Sequence, residues 1–312
     1  MLVSILIPCY NAERWVAHAI ESALAQTWPD KEVIVVNDGS TDGSLDVIRK
    51  FDGQIQWETG PNRGGNVARN CLLELAQGEW LQYLDADDYL LPEKIANQME
   101  FLQSQGEIDV VFSPVTLEYQ TESGTRREVS TIPRPHDPWI LLARWYLRQT
   151  GGPLWRKQAL LDVGGWKVDQ PCCQEHELCL RLLMAGKRFA YCSDEGAIYR
   201  QFGNGTVSTR DISKVHEQRL DIEKKAEEFL REQGELTTDR LRAINDARFE
   251  VARLVRVYDT RRAQEINATI KSSDPDFIPR GHAARLHYQV AYRTLGFGVA
   301  ERIAELKRKI AS

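Results

Sequence analysis

The pattern of apolar and polar positions divides this chain into two textures. In roughly the first two hundred residues, short β-branched runs alternate with stretches of helical period. Val3 to Pro8 reads as a buried strand, and Ala12 to Gln26 as a helix with Trp15, Val16, Ala19, Ile20, Ala23 and Leu24 on one face. Lys31 to Asn37 predicts a second strand, Asp42 to Phe51 a helix, and Ile55 to Glu58 a short third strand. Asn66 to Gln77 has helical spacing and is expected to stop at Gly78, a common helix terminator. Glu79 to Leu84 is the fourth expected strand, and Pro92 is placed to open the next helix. Ile108 to Leu117 and Thr125 to Ile132 predict two more strands with a turn at Ser123-Gly124, followed by a helix over His136 to Arg148. Glu175 to Ala185 reads as a helix ended by Gly186, and Phe189 to Cys192 and Ala197 to Gln201 as strands.

This alternation predicts an α/β fold with a mostly parallel sheet flanked by helices. Ligands in such sheets sit beyond the carboxyl ends of strands. That rule selects three segments here, Pro8 to Asn11, Asn37 to Ser40 and Asp85 to Asp88, all polar or turn-forming. From Asp211 the texture turns helical and highly charged. A boundary near Arg210 therefore separates a domain over residues 1–210 from a helical C-terminal region over 211–312. There, Leu241, Ile244, Ala247, Val251, Leu254 and Val255 form an apolar stripe expected to pack on the first domain. Val299, Ile303, Leu306 and Ile310 make a second stripe beside Arg302, Lys307, Arg308 and Lys309. Such a helix suits packing or a homodimer, or else peripheral contact with an anionic membrane face.

Composition narrows the function classes. Apolar residues make up 42% and charged residues 27%, ordinary for a folded globular chain. A net charge of -5 provides no basic footprint, so nucleic acid is not an expected partner. No run of about 18 apolar residues occurs, and the apolar start MLVSILIPCYN lacks a basic lead and a cleavage site, so it reads as a strand. Cys9, Cys71, Cys172, Cys173, Cys179 and Cys192 form no paired CxxC spacing. This argues against a zinc site and fits a reduced, cytoplasmic setting.

Two segments carry chemistry on their own. Asp85, Asp87 and Asp88 place three carboxylates within four residues after the apolar strand WLQYL. They repel one another unless a cation or donors offset them. Mg²⁺ and Mn²⁺ favour such oxygen ligands and share them with substrate phosphates and water. An acidic turn capping the next helix is the plainer alternative. The second segment is VIVVNDGSTDGS, where Asp38 stands just past a strand and offers an acceptor to a base N–H. Asn-Asp-Gly-Ser is also good turn chemistry.

The ordered strings VSILIPCYN, ALAQTWPDKEVIVVNDGSTDGS, NRGGNVARN and GEWLQYLDADDYLLPEKI together resemble glycosyltransferase family 2 over residues 2–205. The resemblance implies the GT-A (Rossmann-like) fold and an inverting, non-processive hexosyl transfer. The donor would be a nucleoside-diphosphate sugar, by weak preference a UDP-sugar, with a divalent Mn²⁺ or Mg²⁺ cofactor. It implies that Pro8, Tyr10 and Asn11 line the nucleotide pocket, with Tyr10 stacking on the base, and that Asp38 holds the base. Asp85 would reach the ribose or a metal-bound water, Asp87 would ligate the metal, and Asp88 would support them. Arg63 is a candidate phosphate partner, whereas Arg69, inside a helix, suits a structural ion pair.

Further along, GGWKVDQPCCQEHELCLRLLMAG resembles the family's Gly-Gly-aromatic turn and the helix that follows it, but departs from its Glu-Asp pair. Gln174-Glu175 occupies those positions, so Glu175 stands for the catalytic aspartate. His176 is a rival base or a helix-surface histidine, and Glu177 is expected to face solvent. Many relatives carry a histidine after the arginine matching Arg200; this chain has Gln201 and Phe202, then the loop Gly203 to Ser208, expected to close over the donor. The QxxRW motif and membrane spans of processive synthases are missing, which favours single-sugar transfer in cell-surface polysaccharide biosynthesis. The acceptor, be it a glycan, a lipid-linked sugar or a small molecule, is left open. A nucleotidyltransferase and a dinucleotide dehydrogenase are disfavoured, since residues 8–14 (PCYNAER) carry neither Gly-rich loop. The alternative of another class is a non-catalytic nucleotide-sugar or partner-binding module of the same fold.

Overall fold

A computed structural model of the chain describes residues 1–121, 124–147, 149–201, 211–280 and 284–311. Two compact units emerge, one comprising Met1–Pro138 and Tyr146–Arg210, the other Trp139–Trp145 and Asp211–Ser312.

The first unit is built on a seven-stranded sheet. Its strands are β1 (Val3–Cys9), β2 (Lys31–Asp38), β3 (Gln56–Gly60), β4 (Trp80–Tyr83), β6 (Val110–Phe112), β9 (Leu154–Arg156) and β10 (Phe189–Tyr191). Their spatial order is β10-β6-β9-β4-β1-β2-β3. β1 is parallel to β2 on one side and to β4 on the other, and β9 alone runs antiparallel, against both β4 and β6. Burial explains the sequence texture: β1 is central, so nearly every residue is covered, whereas edge strand β3 is largely exposed. Because chain order reverses across β1, the crevice beyond β1 and β4 is a topological switch point.

Helices α1 (Val16–Leu24), α2 (Ser44–Arg49), α3 (Gly65–Leu75), α4 (Lys94–Gln103), α6 (Lys157–Asp162) and α7 (Gln174–Met184) follow the expected alternation, whereas α5 (Pro138–Ala143) falls almost wholly in the second unit. A second, four-stranded sheet holds β5 (Tyr89–Leu90), β7 (Val115–Thr121), β8 (Gly124–Ser130) and β11 (Ala197–Gln201), ordered β5-β11-β7-β8.

Several expectations need correction. The single strand Ile108 to Leu117 is two strands in two different sheets. Pro114 separates them, since proline fixes its φ and removes the ladder donor. The helix over His136 to Arg148 spans only Pro138–Ala143, and Trp145 beyond it has a left-handed φ of 60°. Ser123 of the expected turn lies outside the described residues, and α4 begins at Lys94, two residues past Pro92.

Nor does Gly78 stop a helix. α3 ends at Leu75, and Gly78 instead lies against β1, its amide donating to Ser4 Oγ at 2.8 Å. A Cβ there would meet Ser4 N at 2.7 Å and Leu2 O at 2.8 Å. Gly78→Ala is therefore expected to cost about 1–3 kcal/mol by overpacking, read as a lower midpoint in urea unfolding with an unchanged slope.

The second unit contains α8 (Ile212–Glu232), α9 (Thr238–Val255), α10 (Thr260–Ser273) and α11 (Leu286–Ala311). Asp211, Thr237 and Asp259 cap the first three by accepting the amides of Lys214, Arg240 and Arg262. Ile244, Ala247, Val251 and Val255 are buried, and Val251 and Val255 belong to a core of this unit's own around Phe249, Phe277, Tyr288, Tyr292 and Phe297. Leu254 departs from the expected stripe and is exposed. The last stripe is not one buried face either: α11 kinks at Gly296, and Val299 and Leu306 are exposed while Ile303 packs on the core. No described helix is long and apolar enough to cross a membrane.

Candidate active site

Three loops meet beyond the carboxyl ends of β1, β2 and β4. The first two are tied together. Asn11, at the left-handed φ of 50°, donates its amide to Ser40 Oγ (3.0 Å) and accepts the Thr41 amide on its side chain (2.8 Å). Asn11 thus positions the loops. Tyr10 beside it is half exposed, its ring open to a flat partner, and Pro8 is partly covered at the strand end. Asp38 is buried, and its two carboxylate oxygens accept the backbone amides of Arg63 and Gly64, both at 2.8 Å. This draws the loop after β3 onto the end of β2. Gly39 permits the approach: its φ is 68°, and a Cβ would fall 2.4 Å from Asn62 N. Arg63 and Asp38 line a recess of about 50 Å³ with Asn37, Thr59 and Gly60.

The acidic turn after β4 is held by separate partners. Asp85 Oδ1 pairs with Arg69 Nη2 at 3.0 Å, so Arg69 does form an ion pair, and its partner is the first aspartate of the cluster. Asp88 is buried and accepts the Arg200 amide at 2.8 Å. Asp87 lies between them, half-buried. Burial and the neighbouring Asp85 charge push its pKa up to about 6. Asp88 is raised as well, by burial and by Asp87 and Asp85.

Glu175 stands in the first turn of α7. It accepts a hydrogen bond from Thr150 Oγ1 at 2.8 Å. Burial raises its pKa above the usual carboxylate range, with the Arg69 guanidinium opposing and Asp85 adding to the rise. Tyr199 reports the convergence: burial, then the charges of Asp88, Asp85, Asp87 and Glu175, push its hydroxyl up to about 12. Asp85 is the link within this group: it pairs with Arg69, adds to the rise at Glu175 and adds to the rise at Asp87. Asp38, Arg63, Asn11, Tyr10 and Pro8 belong to the adjoining loops at the ends of β1 and β2.

Two neighbours of Glu175 contradict expectation. His176 is not on the helix surface but 1% exposed. Glu177 does not face solvent: it forms a bidentate pair with Arg181, which also donates to the Gly165 carbonyl (2.8 Å) and so ties α7 to the Gly-Gly-Trp turn. The loop Gly203 to Ser208 and Phe202 lie outside the described residues.

Besides Arg69, this arrangement is braced by Asn66 and Asn70, which carry no charge and drew no expectation. From α3, Asn70 exchanges two hydrogen bonds with the backbone of Trp166 (2.7 and 2.8 Å), and Asn66 donates to the Lys167 carbonyl (2.8 Å). Arg69 stacks over Trp166 at 5.0 Å. One face of NRGGNVARN therefore fixes both the acidic turn and the loop leading to Glu175. The helical spacing of Asn66, Arg69 and Asn70 was a visible signal that they share a face.

Asp85 and Asp87 supply hard oxygen donors of the type that Mg²⁺ and Mn²⁺ select. Among the described residues no three His, Cys, Asp or Glu side chains gather as a ready-made cage. The donor set fits a cation held by one or two carboxylates and completed by diphosphate and water.

Comparison with known proteins gives the family and the fold. The model of the family described as glycosyl transferase family 2 matches residues 4–160. An Escherichia coli UDP-Glc:α-D-GlcNAc-diphosphoundecaprenol β-1,3-glucosyltransferase is 39% identical over 106 residues, 33% of this chain and 42% of that protein. The chondroitin synthase of Pasteurella multocida is 42% identical over 97 residues, 30% of this chain and 10% of that protein. The chain thus spans under half the length of either relative. Among solved structures, S. aureus TarS 1–349 in complex with UDP-GlcNAc matches with a TM-score of 0.60 at 16% identity, over 99% of this chain and 92% of that one. The Pyrobaculum calidifontis mannosyltransferase in complex with GDP-Man and Mn²⁺ matches with 0.54 at 18% identity, over 88% and 81%. These likenesses establish the GT-A fold.

Proposed function

The chain belongs to glycosyltransferase family 2, and from that premise we propose that it moves a single sugar from a nucleoside-diphosphate donor to an acceptor hydroxyl with inversion. In this reading residues 1–210 are the catalytic domain, the donor is a UDP-sugar, and the acceptor is a glycan or lipid-linked sugar of a cell-surface polysaccharide. One observation carries the proposal: at the switch point of a GT-A sheet, Arg69 pairs with Asp85 of the acidic turn at 3.0 Å and the same pair bears on Glu175.

Tyr10 stacks on the base, Asp38 accepts from it beside Pro8 and Asn11, and Arg63 offsets phosphate charge. Asp85 and Asp87 are the residues that would hold a divalent cation. When bound, such a cation neutralises the charge that builds on the leaving group. Glu175 accepts the acceptor's hydroxyl proton as the new C–O bond forms at the anomeric carbon and the bond to the diphosphate oxygen breaks. A raised pKa suits a general base working near neutrality. With one base and direct displacement, configuration inverts. Glutamate in place of the family's aspartate extends the reach by one methylene. Burial of His176 supports Glu175 over its neighbour as that base.

A thermal-shift panel of nucleotide sugars with and without Mn²⁺ tests the reading. A UDP-sugar with Mn²⁺ should raise the melting temperature, by the equivalent of about 2.7 kcal/mol at a hundred times Kd. No shift with any nucleotide sugar would refute the assigned site, and an equal shift without Mn²⁺ would refute the cation. Stabilisation without release of UDP over a broad acceptor panel would favour the non-catalytic module.

A further inference from the structure

Asp87 is the member of the acidic turn whose aim is least obvious. Its neighbours are pinned through their carboxylates, Asp85 by Arg69 and Asp88 by the Arg200 amide. Among the described residues, no ion pair or side-chain hydrogen bond pins the Asp87 carboxylate in that way. Its peptide plane is what is held. Arg200 Nη1 donates to the Asp87 carbonyl at 3.0 Å.

Arg200 is itself unusually constrained. Its side chain is only 10% exposed. The guanidinium lies over Trp15 of the loop before α1 (5.1 Å) and over Tyr89 of β5 (4.6 Å). The β11–β7 register sets it opposite Glu118, which balances its charge at 3.7 Å. Glu118 is fixed in turn by Tyr89 Oη (2.7 Å) and Arg127 Nε (2.9 Å), and Arg200 Nη2 meets His18 Nδ1 of α1. The backbone of Arg200 holds Asp88 and its fork holds Asp87, so one residue of the second sheet grips two successive residues of the turn that ends β4. A rigid planar fork stacked between two rings transmits position better than a flexible ammonium.

We propose that Arg200 is a positioning residue: by fixing the Asp87 peptide plane it aims the Asp87 carboxylate at the divalent cation. This rests on the reading of Asp85 and Asp87 as cation ligands. The test is Mn²⁺ titration, followed by electron paramagnetic resonance with UDP present, of the parent chain, Arg200→Lys, Arg200→Ala and Asp87→Ala. Both Arg200 variants should bind Mn²⁺ about 10- to 100-fold more weakly, the usual cost of removing a group that orients a metal ligand. UDP affinity without cation should hold. Arg200→Lys keeps the charge, so it guards against simple unfolding of the alanine protein. A merely structural role would lower the melting temperature and cation-free UDP affinity together, and that result overturns the proposal. So does parent-like Mn²⁺ affinity in Arg200→Lys. If Asp87→Ala loses Mn²⁺ while the Arg200 variants keep it, this inference alone fails. If parent and Asp87→Ala bind Mn²⁺ alike, the cation site itself is refuted, and this proposal with it.

Discussion

Glu175→Gln is expected to lower kcat by about 10²- to 10⁴-fold, the span over which a positioned general base contributes. At 1.36 kcal/mol per tenfold, that is about 2.7–5.4 kcal/mol of transition-state stabilisation. The amide keeps the shape and can still accept from Thr150 Oγ1, so substrate KM should move little. Stability should not fall. Burial raises the Glu175 pKa in the fold, so stability falls as pH rises from the ordinary carboxylate value through that raised one and stays lower above it, and glutamine carries no such penalty. The active form is the carboxylate, so parent kcat/KM should decline as pH falls through a value above the ordinary carboxylate range. The part of that limb due to Glu175 should disappear in the variant, leaving only the part set by Asp87 and the cation. A Glu175→Gln protein with near-parent turnover would remove Glu175 from the chemistry.

Asp87→Ala should be as damaging by a different route. A bound cation contributes several kcal/mol of charge stabilisation to a departing diphosphate, so losing its ligand should cost about a thousandfold or more in kcat/KM. Nucleotide binding should no longer respond to Mn²⁺. The folded protein should be no weaker, because the deleted carboxylate is destabilised by burial and by Asp85. The sign of the pH effect follows from its value of about 6: below it Asp87 holds a proton that the cation must displace, so parent affinity for Mn²⁺ should weaken as pH falls through that range. Isothermal titration at pH 5.5 and 7.5 measures this. Asp87→Ala with parent-like Mn²⁺-dependent UDP binding would sink the clamp.

Much of this site was legible because the strand pattern locates strand ends. Pro8 to Asn11 and Asn37 to Ser40 run off the last residues of β1 and β2, and Asp85 to Asp88 follows β4, at the switch point. The errors were local. Pro114, inside an apolar run, decides that Val110 and Val115 join different sheets, which hydrophobicity alone does not show. Gly78 satisfies the rule for a helix stop but is there because β1 passes too close for a side chain.

Glu175 and His176 mark the border between the two kinds of information. Both are titratable and adjacent, and the family resemblance ranks them without placing them. Successive helical residues point about 100° apart, so one turns toward Arg69 and Asp85 while the other turns into the interior. The strand-helix alternation and the acidic turn were set by the order of residues, because strand and helix period and local charge are short-range properties. The grip of Arg200 on Asp87, 113 positions away, and of Asn66 on Lys167, 101 away, was decided only by chain crossing. Those contacts depend on which sheet each strand joins, and packing, not local spacing, sets that.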